Sequence, residues 1–351
     1  MSVVLALAAL ALRPGDPPPL PHVEWSPQTS VIVGSPRVAA AYYPRLLRLA
    51  DGALLCAFDG PLEGRNAVRV ARSARGSATW SDPVTVSDEA GNAANGQLAL
   101  ARSGELLCAY RLVDGANRSI RVSRSPDGGR SWRPLSIVDE VPEGVWEPHL
   151  FELPSARLAV FYATERRRPQ AIALRRSEDA GRSWRDEEIV ASHPASRDGM
   201  PVPVRLLTGE ILVFFEAQDY LDRPFVVRCT RSTDGGRSWT GRDLVYASGK
   251  PGKKAGAPFA VALPGGEVVV SFQTDEDRNG FGDAFCDVKC VVSADGGRTW
   301  SAPSTVFSAP DGHACWASLL VDGPSEVRAV ASVQRGAAPP RIEMRRGRLR
   351  R

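Results

Sequence analysis

The chain has 351 residues, 43% hydrophobic and 24% charged, with 32 glycines, 28 prolines and six cysteines. That composition excludes a disordered, collagen-like or disulfide-dense small protein, while the length allows two domains or one large all-β domain. The formal charge of +4 includes five arginines at the C-terminus (Arg345, Arg346, Arg348, Arg350, Arg351), so the body is near neutral and no basic face for nucleic acid is expected.

The opening VVLALAALALA, before the proline-rich RPGDPPPLP, has the length and small residues of a signal-peptide core, with Ala9-Leu10-Ala11 as a cleavage context. It lacks the positive charges that usually precede such a core. Residues 1–21 are read as a leader and the chain as extracellular, or as cytoplasmic if the stretch is not a signal. No apolar run reaches the roughly 18 to 20 residues that cross a bilayer, so no membrane partner is expected.

From His22 onward the chain repeats. The segment HVEWSPQTSVIV reads as one strand. Six apolar hairpins follow, RLADGALLCAFD, LARSGELLCAYR, LPSARLAVFYA, LLTGEILVFFE, LPGGEVVVSFQ and LVDGPSEVRAVAS, aligned on Gly52, Gly104, Ala156, Gly209, Gly266 and Gly323. Between them lie octads of the form S-x-D-x-G-x-[ST]-W at Ser125–Trp132, Ser177–Trp184, Ser232–Trp239 and Ser293–Trp300, with a degenerate SARGSATW at Ser73–Trp80. Each octad has the chemistry of a tight turn: Asp caps backbone N–H groups, Gly takes a positive φ, and Trp packs beneath. A residue repeated once per unit belongs to the scaffold, so the octad aspartates are not catalytic candidates. Two strands, a turn and an octad hairpin give about four strands per unit, and six units predict an all-β, six-bladed β-propeller of four-stranded antiparallel blades. Only RIEMRR remains after the sixth hairpin, so the strand at His22–Val33 is expected to complete that blade and remove the open edge. The propeller spans 22–345, and 346–351 are expected to form a basic tail, either a solvated end or a frayed last strand.

The six cysteines (Cys56, Cys108, Cys229, Cys286, Cys290, Cys315) have neither C-x-x-C nor zinc-ligand spacing, and Cys56 and Cys108 sit inside apolar runs. A bridge from Cys286 to Cys290, or another, stays open. The histidines and acids form no metal-ligand set, and there is no phosphate loop or nucleophile elbow. No cofactor or metal is expected.

In a propeller the start of each first strand and the end of each second strand emerge on one face, and the octads on the other. The opening slots hold Tyr43-Pro44-Arg45, Ala94-Asn95, Glu147-Pro148, Met200-Pro201, Ala257-Pro258 and Ala314-Cys315; the closing slots hold Asp59, Arg111, Ala163, Glu216, Gln273 and Val330. Glu147 and Glu216 thus fall in neighbouring blades at one mouth. Two carboxylates facing one pocket suit glycosidic bond cleavage, one protonating the leaving oxygen while the other attacks the anomeric carbon or activates water. The alternative is a scaffold ion pair with Arg45 or Arg111. Arg45, Asp59, Asn95, Arg111, Trp146, His149, Trp316 and the run Asp275-Glu276-Asp277 are candidates for binding sugar, by hydroxyl contacts or ring stacking.

The octads resemble the Asp boxes, or BNR repeats, of the sialidase superfamily. The strings YPRLLRLADG, NGQLALARSGELLCAYR, WEPHLFELP, GMPVPVRLLTGEILVFFE and GAPFAVALPGGEVVVSFQTDED are similar, in order, to motifs of glycoside hydrolase family 93, the exo-α-1,5-L-arabinanases. That resemblance implies release of arabinobiose from linear arabinan with retention, Glu147 as nucleophile, Glu216 as acid/base, and a monomer whose partner is an oligo- or polysaccharide. Blade six, GHACWASLLVDG, offers no counterpart to the site tyrosine of that family. The other readings are an exo-α-sialidase, which would need three arginines and a tyrosine nucleophile, and a non-catalytic glycan-binding Asp-box propeller.

Overall fold

The computed structural model describes residues 20–34, 36–155, 157–220 and 223–351. Ala156 and nearly all of the expected leader lie outside these residues. Six four-stranded antiparallel sheets form the six blades of a propeller. Their inner strands are Tyr42–Arg48, Asn92–Leu100, Val145–Glu152, Ser196–Arg205, Ala255–Ala262 and Gly312–Gly323. Among the described residues the one helical piece is a single 3-10 turn, Asp283–Phe285.

Second strands carry most of the core because both of their faces lie against neighbouring blades. Leu158–Thr164 and Val268–Thr274 are buried at every position, which is why they read as unbroken apolar runs rather than as alternation. The octad tryptophans fill the wedge between blades: Trp239 meets Phe161 edge-on at 5.8 Å and Trp300 meets Phe214 at 5.9 Å.

The four complete octads share one hydrogen-bond set. In Ser125–Trp132, Asp127 accepts from the N–H groups of Arg130 and Ser131 (3.0 and 2.8 Å) and from the Ser131 hydroxyl (2.7 Å), while Ser125 Oγ accepts from Gly129 N–H. These donors hold the Asp127 and Asp179 carboxyls down to about 2. Three octads place glycine at the left-handed position, with φ of 71° at Gly128, 76° at Gly235 and 71° at Gly296. The octad of blade three has Ala180 there, at 58°. An L-residue in this region costs about 1 kcal/mol or more, so Ala180→Gly is expected to stabilise the fold by roughly 0.5 to 1 kcal/mol. A rise in the urea midpoint at constant slope would show it; an unchanged midpoint would mean that the turn carries no such strain.

Closure follows the expected scheme, with one correction. His22–Val33 pairs antiparallel with Arg341–Arg350 as the fourth strand of blade six, from His22 opposite Arg350 to Val33 opposite Ile342. The last strand therefore runs through 346–350, and these residues are not a tail. Gly347 lies beneath Trp25, where a Cβ would stand 2.7 Å from the indole; Leu349 is buried; and Arg351 bonds Glu267 in blade five at 2.6 Å. Arg346, Arg348 and Arg350 are exposed and alternate with the buried Gly347 and Leu349, as in a strand with one face covered.

A second correction concerns register in blade six. Gly52, Gly104, Gly209 and Gly266 occupy hairpin tips at φ of 83° to 96°, but Gly323 is not among the positive-φ glycines and pairs with Glu326 inside the hairpin. The tip lies two residues further on, so the closing slot is Ser332 rather than Val330, and the opening slot is Trp316 rather than Ala314-Cys315.

Candidate active site

Each inner strand carries a β-bulge at the same level. At each bulge a residue other than glycine takes a positive φ: Tyr43 (52°), Asn95 (59°), Glu147 (48°), Met200 (55°), Ala257 (46°) and Trp316 (52°). The bulge tips the chain toward the axis, and Tyr43, Met200 and Ala257 pack together with Tyr42 and Trp316 as an apolar floor joining blades one, four, five and six.

What holds these strained bulges comes from the preceding blade. Asp59 accepts from Asn95 N–H (2.8 Å), Glu216 from Ala257 N–H (2.8 Å), Gln273 from Trp316 N–H (3.1 Å) and Ser332 from Tyr43 N–H (3.0 Å). At two neighbouring junctions the closing slot cannot do this, because Arg111 has no acceptor and Ala163 has no polar atom. At the second of these Glu147 itself reaches forward and accepts from Met200 N–H at 3.2 Å. The two glutamates thus flank the same piece of blade four: Glu147 is bonded to Met200, and Glu216 lies in register with Gly199.

Two glycines make room for Glu216. A Cβ on Gly199 would stand 3.4 Å from Glu216 Oε1, and one on Gly256 would stand 2.8 Å from Oε2. Neither glutamate forms an ion pair with Arg45 or Arg111; Glu216 pairs with another neighbouring arginine, Arg197, whose Nη1 lies 3.7 Å from Oε1, while among the described residues Glu147 has no ion pair. Burial, then the Glu216 charge, pushes the Glu147 carboxyl up to about 7. Burial also raises Glu216, against the pull of Ala257 N–H, Arg197 and Lys254, which favour its anion.

The other candidates divide. Asp59, pushed up to about 7 by burial, is spent on Asn95 and Gly96 N–H groups. Asn95 lies beside it at its bulge. Arg111 stacks 4.6 Å over Trp146, its Nε buried without a hydrogen-bond partner, while Trp146 Nε1 donates to Glu165 at 3.0 Å. These groups, Glu147, Glu216 and Trp316 stand at the mouth.

Arg45 and His149 lie deeper. Arg45 donates to the Pro44 and Trp316 carbonyls and packs over the Tyr43 ring at 3.7 Å, and His149 sits 5.8 Å from Phe259 with its pKa lowered to about 3 by burial and Arg45. Arg45 is thus 3% exposed and spent on these contacts, whereas His149 stays half-buried. Asp275 is 1% exposed, and its carboxylate accepts from Lys254 and Gly282 N–H groups, so it anchors a loop. Glu276 and Asp277 pair with Lys289. Sequence reasoning missed Arg197 and Lys254; the signal was a cation just ahead of the G-x-P strings in blades four and five. Among the described residues no group of acids, histidines or cysteines is spaced to hold a metal ion.

A family model described as BNR repeat-like domain matches residues 23–194. No curated protein matches the chain. Solved structures share its fold: a protein of unknown function from Dyadobacter fermentans (TM-score 0.76, 16% identity, covering 93% of this chain and 99% of that one) and an α-L-arabinanase from Penicillium chrysogenum complexed with arabinobiose (0.72, 20%, 91% and 97%). The NanB sialidase of Streptococcus pneumoniae is similar at TM-score 0.65 and 12% identity, covering 91% of this chain and 70% of that one.

Proposed function

From a BNR-repeat propeller with two glutamates on one strand junction at its mouth, we propose a retaining exo-glycoside hydrolase acting on linear α-1,5-L-arabinan and releasing arabinobiose. The observation that carries this reading is the placement of Glu147 and Glu216: half-buried, mutually repelling, and set around Gly199–Met200, where the Ala163 closing slot offers no acceptor. The arabinanase likeness supports the sugar class. One carboxyl donates a proton to the departing glycosidic oxygen while the other attacks the anomeric carbon; water then resolves the glycosyl-enzyme intermediate with the first group acting as base. With Glu147 as nucleophile, Glu147 must be ionised and Glu216 protonated when the sugar is bound. Contact with the sugar's developing positive charge favours the Glu147 anion. Trp146 and Arg111 supply a stacking face and unspent donors beside the pair.

Product analysis on linear α-1,5-arabinan and, separately, on sialyl-lactose tests this. Arabinobiose from the first supports the proposal. Sialic acid from the second would replace it with the sialidase reading, and glycan binding without products would favour a non-catalytic propeller.

The pair also sets a pH dependence. With Glu147 as nucleophile its carboxyl must be ionised, so kcat/KM is expected to fall below pH about 7 as Glu147 takes up its proton. A profile flat from pH 5 to 8 would contradict this assignment.

A further inference from the structure

Cys286 ends the loop that leaves the second strand of blade five, and Cys315 lies in the inner strand of blade six, one residue before the Trp316 bulge. Both are fully buried. Their thiols share one short stretch of backbone: Cys286 Sγ donates to the Gly282 carbonyl and Cys315 Sγ to the Asp283 carbonyl, each at 3.4 Å. The backbones are also joined, by Ala314 N–H to the Cys286 carbonyl at 2.8 Å. The other four cysteines do not share this arrangement; Cys290, four residues from Cys286, faces Ser304 at 3.2 Å in the outer part of the same blade.

We propose that Cys286 and Cys315 form a disulfide that staples the loop of blade five to the inner strand of blade six. Two thiols lose two protons and two electrons, a sulfur–sulfur bond forms, and a small disulfide such as oxidised glutathione is reduced to two thiols in exchange. The bond closes a long loop between blades that are otherwise joined there by packing and single hydrogen bonds, which is where a cross-link constrains the unfolded chain most.

The staple borders the catalytic pair. Asp283, whose carbonyl accepts from Cys315 Sγ, pairs with Lys254 and accepts from Gln273 Nε2 at 2.7 Å. Gln273 holds the Trp316 bulge, and Lys254 is one of the cations that favour the Glu216 anion. Fixing Cys286 therefore fixes the loop that positions both groups.

Contact with Cys286, burial and the Asp283 charge raise the Cys315 thiol well above its ordinary range, so the closed site holds little thiolate. The bond is made while the loop is still open, during folding in an oxidising compartment. It is a structural link rather than a rapid switch.

The test is to denature and reduce the full chain, refold it in a glutathione redox buffer, block free thiols with N-ethylmaleimide in acid, and map peptides without reduction. Four labelled cysteines and a linked peptide pair containing Cys286 and Cys315 are expected. The refolded protein should also melt roughly 5 °C higher than the same sample treated with dithiothreitol. Cys286→Ser and Cys315→Ser should each abolish that reductant-dependent difference while melting cooperatively near the reduced wild type. Six labelled cysteines, or a bridge from Cys286 to Cys290, would overturn the proposal. Neither readout uses glycosidase activity, so a wrong substrate assignment would leave this result standing.

Discussion

Glu147→Gln and Glu216→Gln should each lower kcat on linear α-1,5-arabinan about a thousandfold, equivalent to about 4 kcal/mol of transition-state stabilisation, with a much smaller change in KM. Glutamine keeps the shape and the oxygen that accepts Met200 N–H or Ala257 N–H, so the bulges survive while the proton chemistry does not. Stability should move the other way. The Glu147 carboxyl has its pKa raised to about 7 in the folded chain, above the ordinary value of 4.5, so the stability it contributes is fully present below pH 4.5 and is lost as the pH rises through 7. Wild-type melting temperature should therefore fall between pH 5 and 8, and Glu147→Gln should flatten that fall and melt higher than wild type at pH 8. Azide separates the roles: with Glu147→Ala it should give a glycosyl azide of inverted configuration, and with Glu216→Ala one of retained configuration, if Glu147 is the nucleophile. Either glutamine variant keeping more than a tenth of the wild-type rate would sink the two-carboxylate mechanism.

Deleting His22–Val33 should remove the cooperative unfolding transition at 25 °C. The deletion strips Val23, Ile32 and Val33, each 2 to 3% exposed, from their packing, and it unpairs the last strand along its length. At about 1.5 to 3 kcal/mol per buried aliphatic side chain this is roughly 5 to 9 kcal/mol, comparable with the whole net stability of an ordinary domain. The uncovered strand edge should also self-associate, visible as light scattering. Gly347→Val is the milder form, because its Cβ would meet Val23 at 2.5 Å and Trp25 at 2.7 Å; a loss of about 1 to 3 kcal/mol is expected. Cooperative melting of the deletion variant within a few degrees of wild type would show that the strand does not close the ring.

Much of the fold was legible because each unit restates the same local chemistry. Asp127, Asp179, Asp234 and Asp295 bond their own turns, and that bonding depends on little beyond the octad itself. The hairpin slots located Glu147 and Glu216 for the same reason. Register failed where one unit departed: Gly323 matched its counterparts as a letter but not in backbone conformation, which displaced Val330 and Ala314-Cys315 from their true equivalents, Ser332 and Trp316. Depth was not legible either. Arg45 and His149 occur two residues after their bulges, and only the packing of blades one, three and five around the axis decides that both point inward. Asp275 looked like a surface acid because its partners, Lys254 and Gly282, are remote from it in the chain.

The bulge ring has a further meaning for how a chemical site can arise in a repeated structure. Where Asp59, Gln273 and Ser332 each brace the next blade, their side chains answer first to the architecture, and exchange there would be opposed by the whole ring. Arg111 and Ala163 have been released from that duty, and Glu147, standing between them, braces blade four with one oxygen and leaves the other uncommitted. Duplicated units give a protein spare copies of a structural part; novelty becomes affordable at the copies whose work a neighbour has taken over.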